Sequence, residues 1–299
     1  VNELFFDKIV IWLTLRVIFM WQCPICTSAL HRPDDPVSVN NSWRCKQSHS
    51  FDVAKQGYVN LLPVQFKQSL DPGDDKKMVK ARELFLNAHH YSPLIETIAK
   101  DLKGRLTLDN SYCMFDAGCG EGYYLRQLNR ILAEFNITYC GNDISKNAVI
   151  RAAKQAHSLD SKHQYIVASS FQLPVSAQSV DVLLQVFAPI PKTEAFRILK
   201  NGGLWYQVVP NSQHLQEFKT ILYTDNQAHS PQPEEGLPLV HEYDVSFTLV
   251  LSPDEKAQLM AMTPYAHSAT EHKRNACINS DIPLTIAFKI YVYQHLEHH

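Results

Sequence analysis

Short apolar runs recur through the middle of the chain, each bounded by polar or turn-forming residues. Tyr112 to Phe115, Thr138 to Asp143, Tyr165 to Ala168, Val180 to Val186 and Trp205 to Val209 have the length and the β-branched or aromatic content of strands. The stretch from Tyr123 to Ala133, and the positions Ala148, Ile150, Ala152 and Ala153, have helical character between them. Strands alternating with helices predict an α/β domain on a parallel, doubly wound sheet. Upstream, Met78 and Leu84 to Leu86, then Pro93, Leu94, Ile95 and Ile98, predict two helices around a break at Asn87 to Ser92. The last of the five runs follows a turn at Asn201-Gly202-Gly203. Past Pro210 the pattern loosens, and Val245 to Leu251 and Leu284 to Tyr293 are expected to be later strands.

Trp21 to Leu62 differs from this domain. It is rich in Cys, Pro, Ser and Asn and alternates without a helical period, which suits a small β-rich module held by something other than a core. Asp71-Pro72-Gly73-Asp74 forms turns and interrupts regular structure. The chain therefore divides into a small module (20–62), a linker with lead-in helices (63–108) and a large domain (109–295). Leu4 to Phe19 is apolar but carries Asp7, Lys8 and Arg16 and is shorter than the roughly 20 residues of a membrane span. It also lacks the basic start and small-residue cleavage site of a signal peptide. Residues 1–19 are expected to be a non-native upstream segment, and Leu296-Glu297-His298-His299 the remnant of a histidine tag.

Composition changes this picture little. With 45% hydrophobic and 19% charged residues the chain is globular, not disordered. A net charge of -2 does not decide for or against a nucleic-acid partner, because the placement of basic groups matters more than their sum. Seven cysteines, an odd number in a long chain, argue against a disulfide framework and for a reducing compartment, the cytoplasm.

The chemistry lies in two motifs. Cys23-Pro24-Ile25-Cys26 and, eighteen residues on, Cys45-Lys46-Gln47-Ser48-His49 supply three thiolates and one imidazole as two close pairs, the spacing of a closed, structural zinc site. Two other readings exist. Cys23 and Cys26 could be a redox pair, though without the strand–helix setting of a thioredoxin, and His31 could replace His49. The second motif is Asp116-Ala117-Gly118-Cys119-Gly120-Glu121-Gly122 between a strand and a helix. Glycines at alternate positions let a ligand lie against the backbone. The third glycine stands two residues after the second, not three as in dinucleotide sites. Asp143 ends the next strand, where a carboxylate can accept hydrogen bonds from ribose hydroxyls.

This Asp-x-Gly-x-Gly-x-Gly pattern resembles the S-adenosylmethionine (SAM) motif of class I methyltransferases. The resemblance gives Asp116 the amino-acid end of SAM and Asp143 the ribose, and places Ala168-Ser169-Ser170-Phe171-Gln172-Leu173-Pro174 beside adenine. A narrower likeness follows from the cysteine module, Phe51 to Pro63, Asp71-Pro72-Gly73-Asp74, His90-Tyr91-Ser92-Pro93-Leu94 and the glycine turn taken together. The combination is similar to the bacterial 23S rRNA guanine-N1 methyltransferases, and Asp71-Pro72-Gly73-Asp74 is closer to their Gram-negative branch. The likeness runs from Met20 to the tag and weakens after His214. It implies a zinc domain contacting rRNA, a Rossmann-like SAM-dependent domain, and a homodimer whose cleft admits an RNA hairpin loop. SAM contacts are then expected from Tyr91, Asp116, Gly118, Gly120, Glu121, Gly122, Asp143, Ser169 and His214, and structural Zn2+ on Cys23, Cys26, Cys45 and His49. Asn201 stands where the family has proline, and Phe187-Ala188-Pro189 has Phe in place of Tyr.

Three functions compete: methyl transfer to guanine N1 in a 23S rRNA hairpin, methylation of a small quinone-like molecule, and silent rRNA binding. The cysteine module argues against the second, and the intact glycine turn with Asp143 against the third. N1 lies on the Watson–Crick edge, so the target must be unpaired or flipped. Phe187 is the candidate to stack on it, with core packing as the plain alternative. RNA affinity is expected from Lys46, Lys55, Lys67, Lys76, Lys77, Lys80 and Arg82, interleaved with Tyr58 and Phe66. Guanine N1 carries a proton, and the sequence nominates no group to manage its loss.

Overall fold

The computed structural model describes residues 20–31, 41–66, 72–156, 162–223, 230–263, 265 and 269–296. The readings made for 1–19, Lys67, Asp71 and the last three residues lie outside the described residues.

Two sheets organise them. Strands β1 (Leu30–His31), β2 (Ser42–Cys45) and β3 (Ser50–Asp52) form a small antiparallel sheet in that order. Eight further strands build the large sheet: β4 (Val59–Asn60), β5 (Ser111–Ala117), β6 (Asn136–Asp143), β7 (His163–Val167), β8 (Val180–Val186), β9 (Leu199–Pro210), β10 (Leu239–Leu249) and β11 (Leu284–Gln294), ordered β10-β11-β9-β8-β5-β6-β7-β4. Helices α1 (Lys76–Asn87) and α2 (Ser92–Arg105) precede β5, separated by the expected break. α3 (Tyr123–Ile131) and α4 (Lys146–Ala156) follow β5 and β6, and α5 (Lys192–Ile198) joins β8 to β9. After β9 come α6 (Gln216–Leu222) and, between β10 and β11, α7 (Pro253–Ala261) and α8 (Glu271–Ile278).

The doubly wound α/β reading holds for β4 to β9, whose pairings are all parallel. The sheet as a whole is mixed, because β11 runs antiparallel between β9 and β10. Alternation of strand and helix does not fix the direction of these last strands, and among the described residues α7 and α8 both lie between β10 and β11. The Asn201-Gly202-Gly203 turn lies inside β9, where the register against β8 shifts between Val180 and Val182. β5 pairs with β6 on one side and β8 on the other, so the chain order reverses there. A crevice opens beyond the carboxyl ends of strands at such a point.

The small module is stitched to the large domain. Trp21 is buried, stacks on Trp43 at 5.6 Å and meets Phe115 of β5 at 6.1 Å, while its indole N–H donates to Gln164 Oε1 (2.7 Å). Backbone bonds from Gln22 to Pro174 and from Ser176 to Met20 (2.8 and 2.7 Å) fix the same junction. Met20, Trp21, Leu30 and Cys45 share one apolar cluster with Phe115, Ile166, Leu183 and Trp205, so the module covers one face of the sheet. β4 continues from it to become the sheet's outer strand beside β7.

Candidate metal centre and active site

Two tight turns build the metal cluster. Thr27 N–H donates to the Cys23 carbonyl and Cys23 N–H to Ser28 (both 2.8 Å); Ser48 N–H donates to Cys45 (3.0 Å) and Cys45 N–H to His49 (3.1 Å). Thr27 and Ser48 take positive φ of 58° and 65° to close these turns. As a result Cys26 Sγ lies 3.6 Å from Cys45 Sγ, and His49 Nδ1 lies 3.3 Å from Cys45 Sγ and 3.5 Å from Cys23 Sγ. All four ligand atoms fall within 4.8 Å of one another. A zinc tetrahedron with bonds near 2.3 Å to sulfur and 2.0 Å to nitrogen needs edges of about 3.5–3.8 Å, so the donor set fits the ion. His31 is outside this cluster. Four protein ligands leave no open position, and the module's strands of two to four residues need such a staple.

The second site is a cleft of about 920 Å³ at the carboxyl ends of β5, β6, β7, β8 and β9. Its lining includes Tyr91, Gly118, Gly120, Glu121, Asp143, Ser169, Phe187 and His214; Asp116 and Gly122 stand behind it. The three glycines do different work. All have positive φ (78°, 56° and 78°), but a Cβ on Gly118 would sit 2.4 Å from Ala188 Cβ, and one on Gly122 2.9 Å from the Tyr165 hydroxyl. At Gly120 the nearest atom is Arg82 Nη1 at 3.6 Å, so of the three this glycine alone has open space where a side chain would stand. The turn is pinned by the Gly118 and Cys119 amides, which donate to the Asn142 carbonyl (3.0 and 2.8 Å).

Asp143 accepts from the Gly120 amide through Oδ2 (2.9 Å) and from the Ser145 amide through Oδ1 (2.7 Å). Each oxygen keeps a second lone pair for a ligand. Asp116 is 1% exposed and neither carboxylate oxygen has a partner; burial, with Asp143 and Glu121 as like charges, pushes its pKa up to about 8. Glu121 pairs through Oε2 with Arg126 (2.9 Å) while Oε1 is buried and unpartnered. Partnerless buried carboxylate oxygens beside an open glycine fit a ligand that brings a cation, as the sulfonium amino acid SAM does.

On the other side, Tyr91 stands edge-on to Phe85 (5.3 Å) and Phe288 (4.9 Å) while lining the cleft, so it packs in the core and faces the site at once. The His214 ring lies 4.9 Å from Phe288, and its Nδ1 accepts the Ala287 N–H (3.3 Å). Desolvation, with Lys219 adding repulsion, lowers its pKa to about 3. His214 is thus neutral with its proton on Nε2, a donor and not a base. Phe187 is 43% exposed, holds positive φ (56°), and its ring contacts Phe288 at 5.1 Å. Buried Gln185 braces that loop, accepting from Trp205 Nε1 (3.1 Å) and donating to the Ala188 carbonyl (2.6 Å).

Sequence reasoning missed Phe288, which underlies Tyr91, Phe187 and His214 together, because an apolar residue in a strand carries no mark of such a role. Lys219 and Tyr265 also line the cleft from the weakly patterned region after Pro210. Among the basic residues expected to meet RNA, Lys46, Lys55, Lys76 and Lys77 are exposed, whereas Arg82 lines the cleft paired with Asp74 and Lys80 pairs with Glu83 (3.0 Å).

Comparison with known proteins matches both parts. Residues 21–70 match a family described as "RlmA, N-terminal", a zinc ribbon, and residues 114–203 match "Methyltransferase domain". The chain is 37% identical over 208 residues to the 23S rRNA (guanine(748)-N(1))-methyltransferase of Streptomyces fradiae, covering 69% of each. It is 28% identical over 286 residues to a Bacillus subtilis (strain 168) protein provisionally named 23S rRNA (guanine-N(1)-)-methyltransferase YxjB, covering 90% of this chain and 97% of that one. The crystal structure of the YcgJ protein from Bacillus subtilis aligns at a TM-score of 0.43 and 13% identity, over 70% of this chain and 100% of that one.

Proposed function

The chain belongs to the 23S rRNA (guanine-N1)-methyltransferase family, and from that premise we propose that it transfers the methyl group of SAM to N1 of a guanine in a hairpin loop of 23S rRNA. One observation carries the reading: a three-thiolate, one-imidazole cluster and a cleft built on the glycine turn occur on one chain, joined through Trp21. A small-molecule enzyme would need the second but not the first.

Bound SAM supplies an electrophilic methyl carbon on sulfur. The remaining work is alignment, where orientation alone is worth several kcal/mol. Asp143, fixed by two amides, takes the ribose; Gly120 lets the ligand approach the backbone; Asp116 and Glu121 offer charge to the amino-acid end. Ser169 flanks the adenine, and Tyr91 and His214 complete the wall. Phe187 offers its exposed ring to the target base. The zinc ribbon holds the exposed Lys46 and Lys55 for phosphate contacts. A homodimer closing around the hairpin and a cytoplasmic place of work follow from the family resemblance; no described helix is long and apolar enough to cross a membrane.

The test is methylation of 23S rRNA from a strain lacking the corresponding enzyme, with the product located by mass spectrometry. One SAM-dependent methyl group at N1 of one hairpin guanine is expected. Methylation of no guanine would remove the proposal.

A further inference from the structure

Methylation of guanine at N1 leaves one proton to dispose of, and the distribution of charge along the cleft says how. Three carboxylates line it, Asp74, Glu121 and Asp143, all toward β5 and β6. Each has a partner: Asp74 has Arg82, Glu121 has Arg126 on Oε2 alone, and Asp143 has the Gly120 and Ser145 amides. The end beyond β8 and β9 has a different character. There the described lining carries no carboxylate; its ionisable groups are His214, Lys219 and Tyr265. His214 presents a donor N–H, as its bond from Ala287 requires.

Lys219 projects from α6 into this end. It is half-buried, and its Nζ donates to the Ser212 carbonyl at 3.1 Å, which anchors the ammonium and leaves further N–H bonds for a ligand. The segment that carries it is built under strain: Leu215, at the start of α6, has positive φ (53°), as Phe187 does across the cleft. Non-glycine residues in this conformation persist where surrounding structure holds them, commonly at functional sites. Leu215 is held by its amide bond to the Thr285 carbonyl (2.8 Å).

With the ribose at Asp143 and the methyl donor over β5, the target base falls to the β8 and β9 end, beside Phe187 and Lys219. We propose that Lys219 is a catalytic residue whose ammonium group stabilises the negative charge that develops on O6 of the target guanine. This rests on the guanine-N1 reading above. In the step, the N1–H bond breaks and its proton passes to water; the negative charge spreads over N1 and O6, where the Lys219 cation meets it. The N1 lone pair then forms the bond to the methyl carbon, and the electron pair of the methyl–sulfur bond stays on sulfur. No carboxylate base is required, and none lines the cleft at this end among the described residues, Glu217 being turned to Thr285. A fixed cation at a developing oxyanion acts most strongly in a water-poor cleft.

The groups nearest Lys219 set the background for a pH test. His214 and Glu217 share its segment, Glu217 being held by Thr285 (2.6 and 2.9 Å), and Lys273 of α8 bonds the Leu222 carbonyl at the end of α6.

The experiment uses the full chain with its metal, a hairpin of the 23S substrate and two variants, Lys219→Met and Lys219→Arg. The wild type must first give N1-methylguanine; if it does not, the functional reading fails and Lys219 is not at issue. With that met, single-turnover transfer at neutral pH is expected to fall by about 10²- to 10³-fold in Lys219→Met, to be regained as pH rises, and to be partly kept in Lys219→Arg. A second readout needs no turnover. In the complex with S-adenosylhomocysteine, the N1–H signal of a ¹⁵N-labelled target guanine should titrate at lower pH with wild type than with Lys219→Met. Equal titration in the two complexes, or a Lys219→Met loss of the same size at every pH, would overturn the proposal. So would a loss traced wholly to weaker hairpin binding, which would make Lys219 a phosphate anchor.

Discussion

In the zinc ribbon, four ligand atoms are gathered within 4.8 Å by two turns carried on a sheet whose strands have only two to four residues. In the cleft, the candidate contacts come from the ends of five strands and, for Tyr91, from the break between α1 and α2, and a buried residue on a sixth strand, Phe288, supports three of them. The first site depends on its ligand for folding energy and the second does not, since the sheet's two apolar clusters stand beneath it. The difference teaches where damage should spread. Loss of the ion should be confined to the ribbon unless Trp21, which joins both, transmits it.

Removing the metal therefore has the largest expected effect. Structural zinc contributes about 10–16 kcal/mol of apparent binding energy in small modules, more than the ribbon can replace. A chelator, or Cys45→Ser, should abolish zinc in metal analysis and hairpin binding by fluorescence anisotropy, while SAM affinity by calorimetry changes only a few-fold. An equal loss of SAM affinity would mean that the Trp21 junction makes ribbon and cleft one cooperative unit, and the contrast would collapse.

The glycine turn allows a contrast within the cleft itself. Gly118→Ala meets both a left-handed backbone and a 2.4 Å approach to Ala188, whereas Gly120→Ala meets the backbone cost alone, with 3.6 Å to its nearest neighbour. That backbone cost is about 1–2 kcal/mol. Urea unfolding should show Gly118→Ala clearly the less stable of the two and disturbed in turnover, because Ala188 belongs to the loop of Phe187. Gly120→Ala should instead raise the SAM concentration needed for half-maximal rate. Equal stability of the two would show that the Phe187 loop shifts at no cost, contrary to the bracing by Gln185.

The same contrast explains what could be read in the sequence. Ligand sets made of consecutive residues were legible: two cysteine turns and one glycine turn carry their geometry in their spacing. The parallel half of the sheet was legible too, because single helices follow three of its strands, α3 after β5, α4 after β6 and α5 after β8. The target end of the cleft was not. Lys219, Phe288 and Tyr265 belong to separate segments past Pro210, brought together only by the antiparallel return of β11, which alternation of strand and helix does not foretell. The turn's glycines were legible as a group, but that Gly118 makes room for Ala188 and Gly122 for Tyr165 depends on contacts 43 or more residues away in sequence.

The smallest effect expected is also the most specific to the cleft. The Asp116 carboxyl, held up to about 8 by burial, ionises near the ordinary value of about 3.9 in the unfolded chain. Between those values the folded ligand-free protein keeps a proton that the unfolded chain has released, so its stability should decline as pH rises from about 4 to about 8. Asp116→Asn should flatten that decline without abolishing it, because burial raises Glu121 and Asp143 in the same direction. A cationic amino-acid group arriving beside Asp116 reverses the balance and favours the carboxylate. SAM binding to wild type near neutral pH should accordingly release protons, seen as a dependence of the calorimetric enthalpy on the buffer's ionisation enthalpy, and the release should shrink in Asp116→Asn. If melting temperatures of the two proteins run parallel across this range, Asp116 is already ionised in the free cleft. The ribbon, whose folding energy comes from its ion, would then not differ from the cleft in the way its buried carboxylates suggest.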